Sequence, residues 1–222
     1  MGDAPLVRTL PARTLGRYLI DSGRADGPRP LLLGFHGYGE NPEKHLAELQ
    51  RIPGAEAALR VAVQALHRFM NTRTNEIVAS WMTRQDREQA IADNVDYVAS
   101  VLAAVEHEHP GDGRRVFVGF SQGTAMAYRA AARAGRPVAG LIVLGGDVPP
   151  ELADDRNPLP PVLIGRGTRD TWYTEAKMAA DLELLRRRDV PAETLVFDGG
   201  HEWTDEFRHG AGRFLKRVLA GD

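Results

Sequence analysis

Gly119-Phe120-Ser121-Gln122-Gly123 places a serine between two glycines, after the apolar run Val116–Phe120 and before an alanine-rich stretch. This G-x-S-x-G spacing suits a sharp strand-to-helix turn that holds a hydroxyl clear of the backbone for nucleophilic attack. Such a turn strains its central residue, and a side chain two positions away on either side would collide with it, so glycine stands at both. The helix that follows directs its positive end toward the hydroxyl. With four serines and 23 glycines in 222 residues, about 0.04 such matches are expected by chance, before a strand and a helix are demanded around them. Chance is the weaker explanation.

A serine hydroxyl is a weak nucleophile until a base takes its proton, and the base needs an acid to orient it. Behind a serine on such a turn, the acid and then the histidine follow in chain order. That order removes His36, His45, His67, His107 and His109, and leaves His201 and His209. His209 falls inside a helical period. His201 follows an apolar run and the turn Asp198-Gly199-Gly200, which puts it in a loop on the same rim as Ser121. His201 is the preferred base. Asp170 closes the segment Val162-Leu163-Ile164-Gly165-Arg166-Gly167-Thr168-Arg169-Asp170 and is the preferred acid; Asp147, one strand earlier, stays as its rival. A tetrahedral intermediate also needs N–H donors for its oxyanion. The backbone of Gln122 supplies one. The other falls to Phe35-His36-Gly37-Tyr38-Gly39, where flanking glycines let the Tyr38 N–H turn inward and His36 braces the loop.

These residues need a rim of strand ends to stand on. Short apolar runs predict strands at Leu15–Ile20, Pro30–Phe35, Arg60–Ala65, Arg115–Phe120, Val138–Leu144, Val162–Gly165 and Glu193–Phe197. Most are continuously apolar, as strands covered on both faces are. Between them lie helical periods: one capped by Asn41 with Pro42 behind it, and one stepping through Ile91, Val95, Val98, Leu102 and Val105. A third runs from Gln122 to Ala134, a fourth passes Met178, Leu182 and Leu185, and the last starts near Trp203 and reaches Val218. Strands alternating with helices predict an α/β fold, a mostly parallel twisted sheet with helices on both faces. No repeat or linker divides residues 1–222, so a single domain is expected. The stretch from Leu66 to Gln85 has no period and contains Phe69, Met70, Trp81 and Met82, which predicts a long functional loop. Gly145 to Pro160 is too short for a lid domain. The expected site is an open groove walled by Tyr38, the Phe69–Met82 loop with Phe69 and Met82, and Trp172-Tyr173.

Composition narrows the alternatives. A net charge of −2 gives no footprint for nucleic acid or an anionic membrane. The absence of cysteine removes disulfide scaffolds, thiolate metal sites and cysteine nucleophiles. No run approaches the ~18 apolar residues of a membrane span, and Met1 to Thr14 lacks the apolar centre of a signal peptide, so a cytoplasmic protein without stable membrane insertion is expected. His201-Glu202 is not followed by the second histidine of H-E-x-x-H, and no phosphate-binding G-x-x-x-x-G-K occurs, so neither metal nor cofactor is expected.

Phe35-His36-Gly37-Tyr38-Gly39, Val118-Gly119-Phe120-Ser121-Gln122-Gly123, Gly167-Thr168-Arg169-Asp170 and Gly199-Gly200-His201 together resemble the four signature segments of the phospholipase/carboxylesterase family. Those are small bacterial serine esterases akin to the acyl-protein thioesterases, in the α/β-hydrolase superfamily. The resemblance runs from about Pro30 to Leu219. It implies a lidless α/β-hydrolase fold with Ser121, Asp170 and His201 as the triad and Tyr38 and Gln122 as oxyanion donors. It also implies that Trp81 lines the acyl pocket. The implied activity is a carboxylesterase acting on small-molecule acyl esters; an acyl-protein or lysophospholipid (thio)esterase on the same scaffold, or a catalytically silent binding protein, are the alternatives. Tyr38 stands where the thioesterases usually carry leucine, Asp147 near a usually small or hydroxyl residue, and Thr171-Trp172-Tyr173 replaces a mostly aliphatic run. The acyl group is therefore not carried over.

Overall fold

A computed structural model describes residues 5–23, 27–133 and 135–220. Its strands are β1 (Arg17–Asp21), β2 (Leu31–Phe35), β3 (Leu59–Gln64), β4 (His67–Asn71), β5 (Glu76–Ser80), β6 (Arg115–Phe120), β7 (Gly140–Leu144), β8 (Val162–Gly167) and β9 (Ala192–Phe197). Its helices are α1 (Pro42–Gln50), α2 (Arg87–Glu108), α3 (Gln122–Arg133), α4 (Glu175–Arg187) and α5 (Asp205–Ala220). Seven strands form one sheet in the order β1-β3-β2-β6-β7-β8-β9. All its neighbours pair parallel except β1, which runs antiparallel along β3 at one edge.

Alternate residues of the central strands feed two cores. Leu33, Phe35, Phe117, Leu141 and Val143 pack with α2, α3 and α4 on one face. Leu32, Val116, Val118, Ile142 and Leu144 pack with α1 and α5 on the other. A fully buried aliphatic side chain contributes about 1.5–3 kcal/mol. β2, buried at every position, is thus clamped from both sides and gives the site a rigid floor. Asn41 accepts from the Lys44 N–H at 3.0 Å and starts α1 as the sequence predicts.

Three expectations change. The stretch from Leu66 to Gln85 is not a plain loop: β4 and β5 pair as an antiparallel hairpin, Phe69 opposite Val78 and Met70 opposite Ile77. Asn75, at φ 55°, takes the left-handed turn position that asparagine tolerates. Trp203 lies outside its predicted helix, which starts at Asp205; it packs at a tilt against Phe120 and Phe207 instead, with ring centres 6.1 and 5.4 Å away. The N-terminal strand starts at Arg17, because Leu15 lies exposed before the pairing with β3 begins. The Ala134 end of the third helix and the first residues of the N-terminal segment lie outside the described residues. The connection after β7 holds a single 3-10 turn, Pro150–Leu152. Among the described residues no helix is long and apolar enough to cross a membrane.

Candidate active site

Ser121 stands between β6 and α3 with φ at 53°, in the left-handed region. A residue other than glycine there stores roughly 1–3 kcal/mol of strain, so its surroundings must hold it. They do: the Ser121 N–H donates to the Leu144 carbonyl at 2.8 Å, and its own carbonyl accepts from Thr124 at 3.0 Å. The glycines on either side are required by contact. A Cβ on Gly119 would lie 2.6 Å from the Gly123 carbonyl oxygen, and one on Gly123 would lie 2.0 Å from the Phe35 carbonyl oxygen.

Three polar side chains converge at this turn from three strand ends. His201, in the loop after β9, has Nε2 at 2.8 Å from Ser121 Oγ and Nδ1 at 2.8 Å from Asp170 Oδ2. Asp170, after β8, is buried, and its other oxygen accepts the main-chain N–H groups of Trp172 at 2.8 Å and Tyr173 at 2.9 Å. With both oxygens engaged the carboxylate cannot rotate, and the imidazole edge facing it is fixed. Asp147 borders the same depression but is exposed and paired to Lys177 Nζ at 3.1 Å. His209 lies on α5 and bonds the Asp205 carbonyl. Asp198 pairs with Arg169 at the surface. The order Asp170, His201, Ser121 is an arrangement that can draw a proton off a serine hydroxyl.

The loop after β2 lies against the same turn. Gly37 N–H donates to Glu40 Oε2 at 2.8 Å, Gly39 N–H to the Ala79 carbonyl at 3.0 Å, and Glu40 N–H to the Gly37 carbonyl at 3.3 Å. Among the described residues the Tyr38 N–H is left without an acceptor, as is the Gln122 N–H at the start of α3. The Tyr38 phenol ring itself is 65% exposed. Burial pushes the Glu40 carboxyl up, against the Gly37 N–H bond that pulls it down. His36 anchors the loop from below. Its Nε2 accepts from the Ala65 N–H at 3.1 Å, so Nδ1 carries the proton and donates to the Gly37 carbonyl at 2.7 Å. Burial holds His36 neutral, with its pKa lowered to about 4.

Sequence reasoning did not find the side-chain role of Gln122. Its Oε1 accepts from the Trp81 N–H at 2.8 Å, and Nε2 donates to Ser80 Oγ at 3.1 Å. The hairpin is thereby tied to the first residue after Ser121. Trp81 corrects an expectation. It is 1% exposed, its Nε1 donates to the His36 carbonyl at 2.8 Å, and it packs edge-on against Phe35. It lies behind the loop after β2, within the core, and is not among the residues that line the depression holding Ser121.

Two depressions meet at Gln122 and Met82. One, of about 280 Å³, contains Ser121, His201, Met82 and Trp172. The other, of about 760 Å³, contains Tyr38, Phe69 and Met82. The Tyr38 and Phe69 rings lie 5.5 Å apart and form one wall of the second.

The sequence profile of the alpha/beta hydrolase family matches residues 36–220. Among solved structures, esterase PE8 superposes with a TM-score of 0.76 at 22% identity, over 92% of this chain and 99% of that one. A carboxylesterase of Bacillus cereus follows at 0.73 and 19%, over 91% and 94%. Acyl-protein thioesterase 2 of Zea mays gives 0.68 and 17%, over 92% and 100%. At such identities the likeness is one of fold. No curated protein matches the sequence.

Proposed function

The chain belongs to the alpha/beta hydrolase family, and from that premise we propose that it is a serine carboxylesterase hydrolysing short- to medium-chain acyl esters through an acyl-enzyme. The observation that carries this reading is the unbroken hydrogen-bond chain from Asp170 through His201 to Ser121, 2.8 Å at each step.

Each group has a role in the reaction. His201 Nε2 takes the proton of Ser121 Oγ as the oxygen attacks the ester carbonyl, and Asp170 stabilises the imidazolium that forms. Negative charge moves to the carbonyl oxygen. The N–H groups of Tyr38 and Gln122, which lack acceptors among the described residues, receive it. His201 then protonates the departing alcohol, leaving an acyl group on Ser121. A water molecule, deprotonated by the same nitrogen, attacks that acyl group, and the proton returns to Oγ. No reactant is needed beyond ester and water, and one domain carries every group named.

Substrate size follows from the walls. A methylene gains about 0.8 kcal/mol only while it is being buried. The depression that holds Ser121, of about 280 Å³, is open, so the gain ends once the acyl chain passes its walls. Chromogenic esters of increasing acyl length test this. The reading predicts that kcat/KM rises and then levels or falls beyond roughly eight carbons, with no jump at the solubility limit. Continued improvement to long chains, or an interfacial jump, would reject it.

A further inference from the structure

Helix α3 is rich in alanine, yet it buries one guanidinium beside the site: Arg129 is 1% exposed. Its Nε donates to Glu151 Oε1 at 2.7 Å. Nη1 is buried too, and among the described residues it has no hydrogen-bond partner. Arginine presents five N–H donors in a fixed fork, and one carboxylate at the surface side does not satisfy them. Burial accordingly draws the Arg129 pKa down, against the Glu151 carboxylate that supports it. This residue lines the depression of about 280 Å³ that holds Ser121 and His201.

A second cation borders the same space. Arg87 is the first residue of α2, exposed, and lines the depression as well. A positive side chain is unfavourable at a helix N-terminus, where the backbone dipole is already positive. Asp86, at the N-cap, makes no side-chain capping bond, and Glu88 is the acidic residue of the first turn. The charge of Arg87 also reaches Arg129 and Glu151. The remaining charges cancel: Lys177 pairs with Asp147 at 3.1 Å, and Glu151 is engaged by Arg129. Arg129, with its unpartnered buried donor, and the exposed cation of Arg87 thus both border one small space beside the nucleophile.

We propose that the ester substrate carries a carboxylate, and that this depression seats it on Arg129 and Arg87 while the scissile bond lies at Ser121. The inference rests on the esterase reading above. Arg129 stands two helical turns beyond Ser121, about 12 Å along the axis. Helix side chains lean back toward the N-terminus, which shortens the gap. A spacer of several carbons between ester and carboxylate fits it. The acid can belong to the acyl side or to the alcohol side of the ester.

The test compares charged esters with neutral partners of matched length. Methyl half-esters of glutaric, adipic and suberic acids are set against methyl pentanoate, hexanoate and octanoate. Hexanoyl esters of glycolate and of a hydroxybutyrate, set against butyl hexanoate, probe the alcohol side. In at least one series kcat/KM for the charged ester should exceed its neutral partner by about ten- to hundredfold. The paired variant R129Q/E151Q, which removes both charges and leaves neither unpaired, should reduce that ratio to near one. Arg87→Gln, on an exposed residue, should lower it about two- to fivefold. If the paired variant does not fold, Arg87→Gln and a fall of the ratio with added salt decide the matter. A wild-type ratio at or below one in both series, with neutral esters still turned over, overturns this inference alone. So does a ratio that neither variant nor salt changes. Failure to hydrolyse any ester would instead strike the reading beneath it.

Discussion

The carboxylate of Asp170 and the main-chain N–H of Tyr173 are joined at 2.9 Å, and this bond decides which oxygen of Asp170 faces His201. Oδ1 accepts from Trp172 and Tyr173, so Oδ2 alone is left for the imidazole. Replacing Asp170 by asparagine keeps the shape but not this assignment. The amide oxygen must take the two N–H donors, its NH2 then meets His201 Nδ1, and the ring is held in the wrong tautomer. Asp170→Asn is expected to lower kcat by about 10⁴. Asp147→Asn, which loses only the surface pair to Lys177, is expected to lose less than about tenfold. Ester hydrolysis by the two folded variants tells them apart; the reverse ranking would move the acid one strand earlier.

The side chain of Gln122 holds the hairpin, while its backbone N–H is the donor proposed for the chemistry. Gln122→Ala keeps the N–H but strips the acceptor from the buried Trp81 N–H. An unsatisfied buried donor costs about 1–3 kcal/mol. Urea denaturation should register that loss, while kcat changes by no more than a few-fold. A hundredfold fall in kcat at unchanged stability would place the side chain in the reaction.

Trp81 and Met82 are neighbours with different duties. Trp81→Ala should cost about 3–5 kcal/mol of stability, as a large aromatic removed from a core does. Met82→Ala, on the cleft wall, should leave stability nearly intact and shift the preferred acyl length. The two effects are separated by urea midpoints and an ester series. A shift in acyl preference from Trp81→Ala without loss of stability would return that ring to the pocket.

The turn at Ser121 was legible in sequence because its geometry leaves glycine as the residue that fits at 119 and 123, where an added Cβ would come within 2.6 and 2.0 Å of a carbonyl oxygen. The parallel strands were legible for a similar reason: both their faces are covered, and covered strands read as unbroken apolar runs. The hairpin was not. β4 is largely exposed on both faces and β5 is buried only toward its end, so neither alternates. Its turn is built on Asn75 without a glycine. Nor does sequence say which way an aromatic faces once it follows a strand, so Trp81 read as a cleft residue. Arg129 carried a signal that went unread, a charged residue within an alanine-rich helix whose burial one sequence cannot reveal.

Asp181 gives the fold a pH dependence of definite sign. Burial raises its carboxyl from 3.8 to about 6, although the Tyr173 phenol donates to it at 2.8 Å. The folded chain therefore binds this proton more tightly than the unfolded one. Its contribution to stability is greatest below the unfolded value of 3.8 and declines as pH rises to about 6, after which it is level. Asp181→Asn keeps an acceptor for the phenol and removes the titration. Relative to the parent, the variant should gain in melting temperature at pH 7 compared with pH 4. An equal offset at the two pH values would mean that Asp181 ionises as it does in water.

The most direct measurement on the esterase reading is covalent labelling. A fluorophosphonate reacts with a serine whose proton is drawn off by a neighbouring base, and it leaves a stable adduct that peptide mass mapping locates. The account predicts one adduct per chain, on Ser121, abolished in Ser121→Ala, whose kcat should fall by about 10⁶. An adduct on Ser22, Ser80 or Ser100, together with undiminished ester hydrolysis by Ser121→Ala, would contradict it.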